Sequence, residues 1–145
     1  MLKHLHIRNY ALITHLDIDF QEGFSVMTGE TGAGKSIILG ALNLVMGARA
    51  DTKTITEGED KCIIEATFLQ DEEVIVRREL NVNGRSRSFV NDEVVTQTEL
   101  RTLAHQLIDI HSQHESLLIG DDLFQIQIVD TIANNQVERD AYTVA

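Results

Sequence analysis

Residues 29–36 constrain this chain more than any other stretch, because their glycines, lysine and serine have the spacing of a phosphate-binding loop. They fit the pattern G-x-x-x-x-G-K-[ST] at every defined position and consist of Gly29, Glu30, Thr31, Gly32, Ala33, Gly34, Lys35 and Ser36. Glycines let successive backbone N–H groups converge on an anion. The pattern places Lys35 to reach the β- and γ-phosphates and the Ser36 hydroxyl to ligate Mg²⁺. It therefore predicts a protein that binds a nucleoside triphosphate.

The sequence on both sides of this loop strengthens the prediction. Residues 24–27 favour a short buried strand that runs into the loop, and residues 37–46 favour an apolar helix that leaves it. Gly47 stands where a helix C-terminal glycine belongs. The N-terminus of that helix adds a dipole and unpaired N–H groups at the same point. Strand, loop and helix in this order are the context in which the pattern binds phosphate.

The chain has 145 residues, a formal net charge of −11 and a single cysteine, Cys62. This length is enough for one domain with a core. The negative charge argues against this segment wrapping nucleic acid by itself, because neutralising phosphates takes clustered Lys and Arg. The one basic cluster is expected to be a solvated hairpin face and comprises Arg77, Arg78, Arg85 and Arg87. With one cysteine and no apolar stretch near the roughly 18 residues of a membrane span, we expect a cytoplasmic protein without a membrane partner.

Alternation of apolar and polar residues predicts strands over residues 2–8, 15–20, 63–69, 74–80 and 85–90. Asn83-Gly84 is the strongest hairpin signal, since a type I′ turn needs positive φ at both centres. Residues 49–61 are expected to form an irregular surface loop. Thr96 and Glu99 fit a capping box and predict a helix from about residue 97 to residue 105. Residues 107–110 favour a brief strand, residues 111–120 a loop, and residues from 121 or 122 onward a helix.

The hydrolytic half of an ATPase site is not found in the sequence. Hydrolysis needs an apolar strand that ends in Asp, usually followed by a catalytic Glu, to hold Mg²⁺ and polarise water. Leu107-Ile108-Asp109 has only two apolar residues before the Asp, and Ile110 follows where Glu is expected. We prefer a core strand with an exposed or capping Asp, and a Walker B-like element is the alternative. A base-reading NKxD motif and a Ser-Gly-Gly signature are also missing, so the chain looks like part of an enzyme.

Three further sequence segments are informative in addition to the phosphate loop: residues 7–13 (IRNYALI), 88–92 (SFVND) and 107–115 (LIDIHSQHE). Together the four segments closely resemble the RecN family of bacterial SMC-like DNA repair ATPases. The resemblance covers nearly the whole chain and implies an α/β fold, a P-loop NTPase of ABC/SMC head type. Its N-terminal lobe has a mixed or antiparallel sheet with flanking helices. Residues 1–120 would be this lobe, and residues 121–145 a helix at the root of a coiled-coil arm.

The family resemblance also implies roles for individual residues. Gln113 would be the glutamine-loop residue that reaches Mg²⁺ and the attacking water, acting with Lys35 in catalysis; a solvated loop glutamine is the alternative. Arg8 and Asn9 would lie beside the phosphates or the adenine, unless they only end a strand. Arg49 would face nucleotide or DNA, and a plain surface position is the alternative.

Other residues near Gln113 are less informative. Ser112 stands where the family more often carries Gly. His111, His114 and Glu115 could suggest a metal site, but three scattered ligands on a loop are weak grounds for zinc.

In the RecN family the ATPase head is split, with a long coiled coil between the phosphate-loop segment and a C-terminal segment that carries the signature and Walker B motifs. The resemblance thus implies ATP and Mg²⁺ as cofactors. The implied partners are the C-terminal half of the same head, a second head in a homodimer, and DNA at double-strand breaks, in the nucleoid. This segment alone is expected not to hydrolyse ATP. The alternatives are another SMC-like or RecF-type ABC ATPase, and a regulatory module that binds nucleotide without hydrolysis.

Overall fold

The structure of the chain is a computed structural model. It describes residues 1–28, 33–108, 110, 126, 129, 132 and 133. The elements are β1 (Leu2–Tyr10), β2 (Ile13–Asp19), α1 (Ala33–Val45), a 3₁₀ turn (Thr52–Thr54), β3 (Lys61–Leu69), β4 (Glu73–Asn81), β5 (Ser86–Val90), β6 (Glu93–Val95) and α2 (Gln97–Leu107). The predicted strands in residues 2–8, 15–20, 63–69, 74–80 and 85–90 are thus confirmed, as are both helices of the lobe.

The strands form a six-stranded sheet in the order β2-β1-β3-β4-β5-β6, and every neighbouring pair is antiparallel. Of the predicted mixed or antiparallel sheet, the antiparallel form is therefore the one that the described residues adopt. Successive side chains of a strand point to opposite faces, so the alternating pattern gives the sheet one apolar face and one polar face. We call the apolar side the inner face and the other side the outer face.

The inner face of the sheet carries the core. Leu5 on β1 lies opposite Ala66 on β3, and Ile7 lies opposite Ile64. All four are fully buried, and α1 contacts β3 and β4 while α2 contacts β5. Further buried apolar side chains come from the sheet and from both helices and include Phe68, Val76, Leu80, Ala41, Val45, Leu100 and Ala104. A sheet covered by helices on its apolar face is the expected lobe architecture.

The two helices are joined through the C-terminal end of α1. Gly47 has φ +94°, and its N–H bonds the Leu44 carbonyl while the Ala48 N–H bonds that of Asn43, as in a Schellman motif. The Gly47 carbonyl then accepts hydrogen bonds from Gln97 Nε2 at 3.0 Å and Arg101 Nε at 2.8 Å. The predicted helix-ending glycine is therefore confirmed, and it also anchors α2. The capping box of α2 at Thr96 and Glu99 is confirmed as well.

The hairpin predicted at Asn83-Gly84 is formed between β4 and β5, but its turn is not of type I′. At Asn83-Gly84 only Gly84 has positive φ, and the loop is closed by the Asn81 N–H bonding the Arg85 carbonyl. The two positive φ angles of a type I′ turn occur at Asn91 (47°) and Asp92 (66°), between β5 and β6. Asn91 is held there by β4, because its side-chain oxygen accepts from the Ile75 N–H at 2.8 Å.

Two predicted strands are not formed. Residues 24–27 have no strand structure, and Phe24 and Val26 are 92% and 67% exposed. A strand needs a hydrogen-bonded neighbour, and no described residue supplies one here. Residues 107, 108 and 110 are not in a strand either, because Leu107 ends α2 and Ile108 caps it, with its N–H bonded to the Ala104 carbonyl. The surface loop of residues 49–61 is more ordered than predicted, since it contains the 3₁₀ turn and the buried Ile55, which pairs with Tyr10.

The chain divides into two compact units, Met1–Asp109 and Ile110–Ala145. In the second unit, the described residues 126, 129, 132 and 133 are helical. The predicted division into residues 1–120 and 121–145 stays a prediction. None of the helices in the described part of the chain has both the length and the apolar character needed to cross a membrane.

Candidate functional site

The first turn of α1 is the anchor of the candidate site. The helix begins at Ala33, inside the phosphate-loop pattern, and Gly34, Lys35 and Ser36 are exposed in this turn. No acidic residue lies in the first turn. The N–H groups at a helix start have no partner within the helix, and the helix dipole makes this end positive. The arrangement therefore fits a phosphate group.

The same turn fits the metal ion that accompanies nucleotide phosphates. Mg²⁺ prefers oxygen ligands and is usually bound through one or two protein groups together with phosphate oxygens. Ser36 is exposed at the helix start, and its hydroxyl oxygen is a group of this kind. The second predicted ligand, Gln113, lies outside the described residues, and so do Gly29, Glu30, Thr31 and Gly32.

Arg8 and Asn9 are brought together in a cavity of about 230 Å³ at the end of β1. The cavity is also lined by Gly58, Glu59, Asp60, Lys61 and Ile63. Two acidic and two basic residues thus surround it, and Arg8 is exposed at its edge. The next residue, Tyr10, reaches α1, because a Cβ placed on Gly40 would meet its hydroxyl at 2.9 Å. The end of β1 is therefore fixed against the helix that follows the phosphate loop.

Asn9 has a structural role that the sequence did not reveal. Its φ is +55°, a conformation that asparagine tolerates better than most residues. The side chain is 8% exposed, and its Nδ2 donates to Glu59 Oε2 at 2.8 Å and to the Lys61 carbonyl at 3.2 Å. The side-chain nitrogen of Asn9 is therefore engaged inside the protein.

The predicted solvated basic face is wrong for Arg78, whereas Arg85 and Arg87 are exposed as predicted. Arg78 is only 3% exposed, and its guanidinium donates to Ser86 Oγ and Ser88 Oγ, both at 2.9 Å. Burial lowers the pKa of Arg78, and the nearby positive charge of Arg101 lowers it further. The physical reason is register, because Arg78 lies opposite the buried Ile64 and so belongs to the inner face.

Arg77, on the outer face, belongs to a row of side chains across the sheet. It lies 4.6 Å above the Phe89 ring and pairs with Asp92 at 2.8 Å and with Glu65 and Glu79 at 3.6 Å each. The strand register continues this row from Glu65 to His6 and Asp17.

Arg49 is exposed just after α1, and its predicted role stays a prediction. Residues 111–115 lie outside the described residues.

Comparison with known proteins finds similarity over nearly the whole chain. Residues 4–142 match the family model described as an AAA domain. The chain is 36% identical to the DNA repair protein RecN of Bacillus subtilis over 156 residues, covering 95% of this chain and 27% of RecN. It is 40% identical to RecN of Haemophilus influenzae over 153 residues, covering 92% and 27%. The chain thus spans about a quarter of the length of these relatives.

Solved structures with a similar fold include SMC proteins and RecF. An SMC ATPase structure has a TM-score of 0.66 and 20% identity, covering 90% of this chain and 98% of that one. The SMC head domain from Thermotoga maritima has a TM-score of 0.63 and 25% identity, covering 70% and 41%. The recombination mediator RecF has a TM-score of 0.63 and 20% identity, covering 69% and 29%. The predicted ABC/SMC head fold is confirmed.

Proposed function

Because the chain belongs to the AAA domain family and its resemblance to the RecN family is borne out, we propose that it is the ATP-binding N-terminal part of a RecN-like DNA repair ATPase. The observation that carries the proposal is the start of α1 within the phosphate loop, where Gly34, Lys35 and Ser36 form an exposed first turn without acidic residues. A positive helix terminus is suited to the triphosphate of a nucleotide.

Different residues would contact different parts of the bound MgATP. Backbone N–H groups of residues 29–34 cradle the phosphates, and Lys35 balances the charge of the β- and γ-phosphates. Ser36 and Gln113 would hold Mg²⁺. When bound, this ion neutralises charge on the phosphates. Gln113 also orients the attacking water, and Arg8 and Asn9 contact the nucleotide from the end of β1. Asn9 would do so through its side-chain oxygen, since its nitrogen is used by Glu59 and Lys61.

The remaining parts of the active site come from partners. The C-terminal half of the same head supplies the signature and Walker B motifs, and a second head closes the site in a homodimer. ATP-driven engagement of the heads is then coupled to DNA in the bacterial cytoplasm, at the nucleoid. Exposed Phe24 and Val26 lie just before the phosphate loop and support a partner of this kind, because the predicted strand there lacks a neighbour among the described residues.

A calorimetric titration of the full-length protein with MgATP tests the proposal. Lys35→Ala should weaken binding by about 2–3 kcal/mol, because a charge-assisted contact to phosphate is lost. Lys53→Ala is the matched control, since Lys53 is an exposed lysine of the 3₁₀ turn outside the phosphate loop. Ser36→Ala should chiefly reduce the dependence of binding on Mg²⁺. Equal affinities for Lys35→Ala and the control would exclude the assigned site.

The structural similarity to RecF keeps a second function open, a RecF-type ABC ATPase with the same chemistry and a different partner. A regulatory module that binds ATP without hydrolysis is the other alternative. Sequence C-terminal to residue 145 separates them, because a long heptad stretch followed by signature and Walker B motifs would favour the RecN-like split head. A short continuation would favour a RecF-type or regulatory protein.

A further inference from the structure

A cluster of three histidines and two aspartates lies on the outer face of β1 and the edge strand β2. The antiparallel register sets His4 opposite Asp19, His6 opposite Asp17, and Arg8 opposite His15. The clustered side chains therefore project from the same face within two neighbouring strands. The alternation in residues 2–8 and 15–20 is the sequence signal for this cluster, but neither segment alone shows that the two sets face each other.

Asp17 is the centre of the cluster. Its Oδ1 lies 2.8 Å from His6 Nδ1 and 3.1 Å from His4 Nε2, and its Oδ2 lies 3.0 Å from His15 Nε2. His4 also contacts Asp19, with 2.7 Å between Nδ1 and Oδ1. The hydrogen bond from His6 holds the pKa of Asp17 below its usual value. Asp17 is thus a carboxylate with both oxygens engaged by imidazoles.

We propose that His6, His15 and Asp17 form a binding site for one transition-metal ion of the Zn²⁺ type. Their ligand atoms all lie within 4.8 Å of one another. Ligand bonds of about 2.0–2.2 Å around tetrahedral zinc place neighbouring ligand atoms roughly 3.3 Å apart, so small side-chain rotations suffice. Three protein ligands leave one position for water.

The chemistry of the ligands separates this ion from the one that accompanies ATP. Imidazole suits zinc, copper and nickel, whereas magnesium prefers oxygen ligands throughout. Asp17 and Asp19 bring two carboxylates into the cluster, on a chain whose net charge is −11. A divalent cation balances them. His4 bridges the two aspartates and acts as a supporting residue that orients Asp17.

The bound ion would stabilise the pairing of the edge strand β2 with β1. β2 is hydrogen-bonded to β1 and lies at the end of the strand order in the sheet. His6 belongs to β1, while His15 and Asp17 belong to β2. An ion held by both strands binds only when they are paired in this register, so it stabilises the folded edge of the sheet by mass action.

The test is metal binding by the full-length protein after treatment with a chelator. Zn²⁺ affinity is measured by competition with a chromophoric chelator, stoichiometry by equilibrium dialysis, and ligand identity by the absorption of bound Co²⁺. Asp17→Asn and His15→Gln should each lower the affinity of one Zn²⁺ by at least about tenfold and reduce the stoichiometry by one. Thermal unfolding should shift upward with Zn²⁺ in the wild type and much less in these variants.

Glu65→Gln is the matched control, because Glu65 lies opposite His6 on the same face but outside the ligand set. It should leave affinity and stoichiometry nearly unchanged. If Glu65→Gln lowers affinity as much as Asp17→Asn does, the ion responds only to the summed negative charge and the site is refuted. Unchanged stoichiometry in both ligand variants refutes it equally.

Discussion

The hydroxyl of Tyr10, at the end of β1, lies 2.9 Å from the position that a Cβ on Gly40 would occupy in α1. This contact joins β1, which carries Arg8 and Asn9, to α1, which begins within the phosphate loop. Tyr10 is 8% exposed, and burial raises its pKa, so the ring remains neutral in the folded protein. Glycine at position 40 is thus explained by close approach rather than by backbone conformation.

The effect of Gly40→Ala on the free energy of unfolding should depend on whether Tyr10 keeps its hydroxyl. In a helix interior alanine is more stable than glycine by about 0.5–1 kcal/mol. In the wild type the contact with the Tyr10 hydroxyl should cancel or reverse this gain, whereas in a Tyr10→Phe background the gain should appear. Urea unfolding of all four proteins gives the coupling free energy. The same stabilisation by Gly40→Ala in both backgrounds would show that the contact is unimportant.

Arg78→Met should lower the free energy of unfolding by about 1–3 kcal/mol, because it leaves the buried Ser88 hydroxyl without its partner. Arg87→Met on β5 is the matched control; Arg87 is exposed, so its change should stay within about 0.5 kcal/mol. Adding Ser88→Ala to Arg78→Met should recover part of the loss, since both polar partners are then replaced. Equal stabilities of the Arg78 and Arg87 variants would contradict the buried role.

The elements that the sequence predicts best are those with local causes. The Thr96–Glu99 capping box and the Gly47 helix end depend on residues within one or two turns, and both are confirmed. The alternating strands are confirmed for the same reason. The phosphate-loop pattern likewise predicts the helix that begins at Ala33, so the anchor of the candidate site could be located from sequence.

The features that the sequence did not reveal depend on distant residues. Asn91 adopts its turn conformation with support from Ile75 on another strand, and Arg78 is buried because of its register with Ile64. Asn9 is committed to Glu59, 50 residues away. Residues 24–27 have strand-like sequence but no neighbouring strand among the described residues. A local window contains none of these partners, so neither propensity nor periodicity could reveal them.

Cys62 should resist thiol reagents while the protein is folded. Its thiol is fully buried on β3, and burial raises its pKa to about 12, so almost no reactive thiolate exists at neutral pH. Labelling by a maleimide should therefore be slow in buffer and fast in denaturant. Gly40→Ala in the Tyr10→Phe background should slow labelling further if the reagent reaches Cys62 by unfolding. Rapid labelling of the native protein would mean that the inner face opens without global unfolding.

Residues 1–145 alone should bind nucleotide without turning it over. The Walker B-like candidate Leu107-Ile108-Asp109 has only two apolar residues before its Asp, no Glu follows it, and Leu107 belongs to α2 rather than to a strand. Phosphate release by the purified chain with MgATP should equal that of its Lys35→Ala variant. Metal-dependent release above that control would mean that Asp109 or Glu115 has a catalytic role that we did not assign.

The helix in the second unit should be the root of a coiled-coil arm and should need a partner helix. The predicted stripe consists of Leu123, Ile126, Val129, Ala133 and Val137, after which polar residues dominate. In the structure Ile126 and Val129 are helical and 55% and 63% exposed, as expected for an apolar face without a partner. Hydrogen exchange over residues 130–145 should therefore be fast in a monomer and slow in the full-length protein. Slow exchange in a strictly monomeric sample of residues 1–145 would mean that the helix is stable without the returning arm, and the split-head assignment would fail.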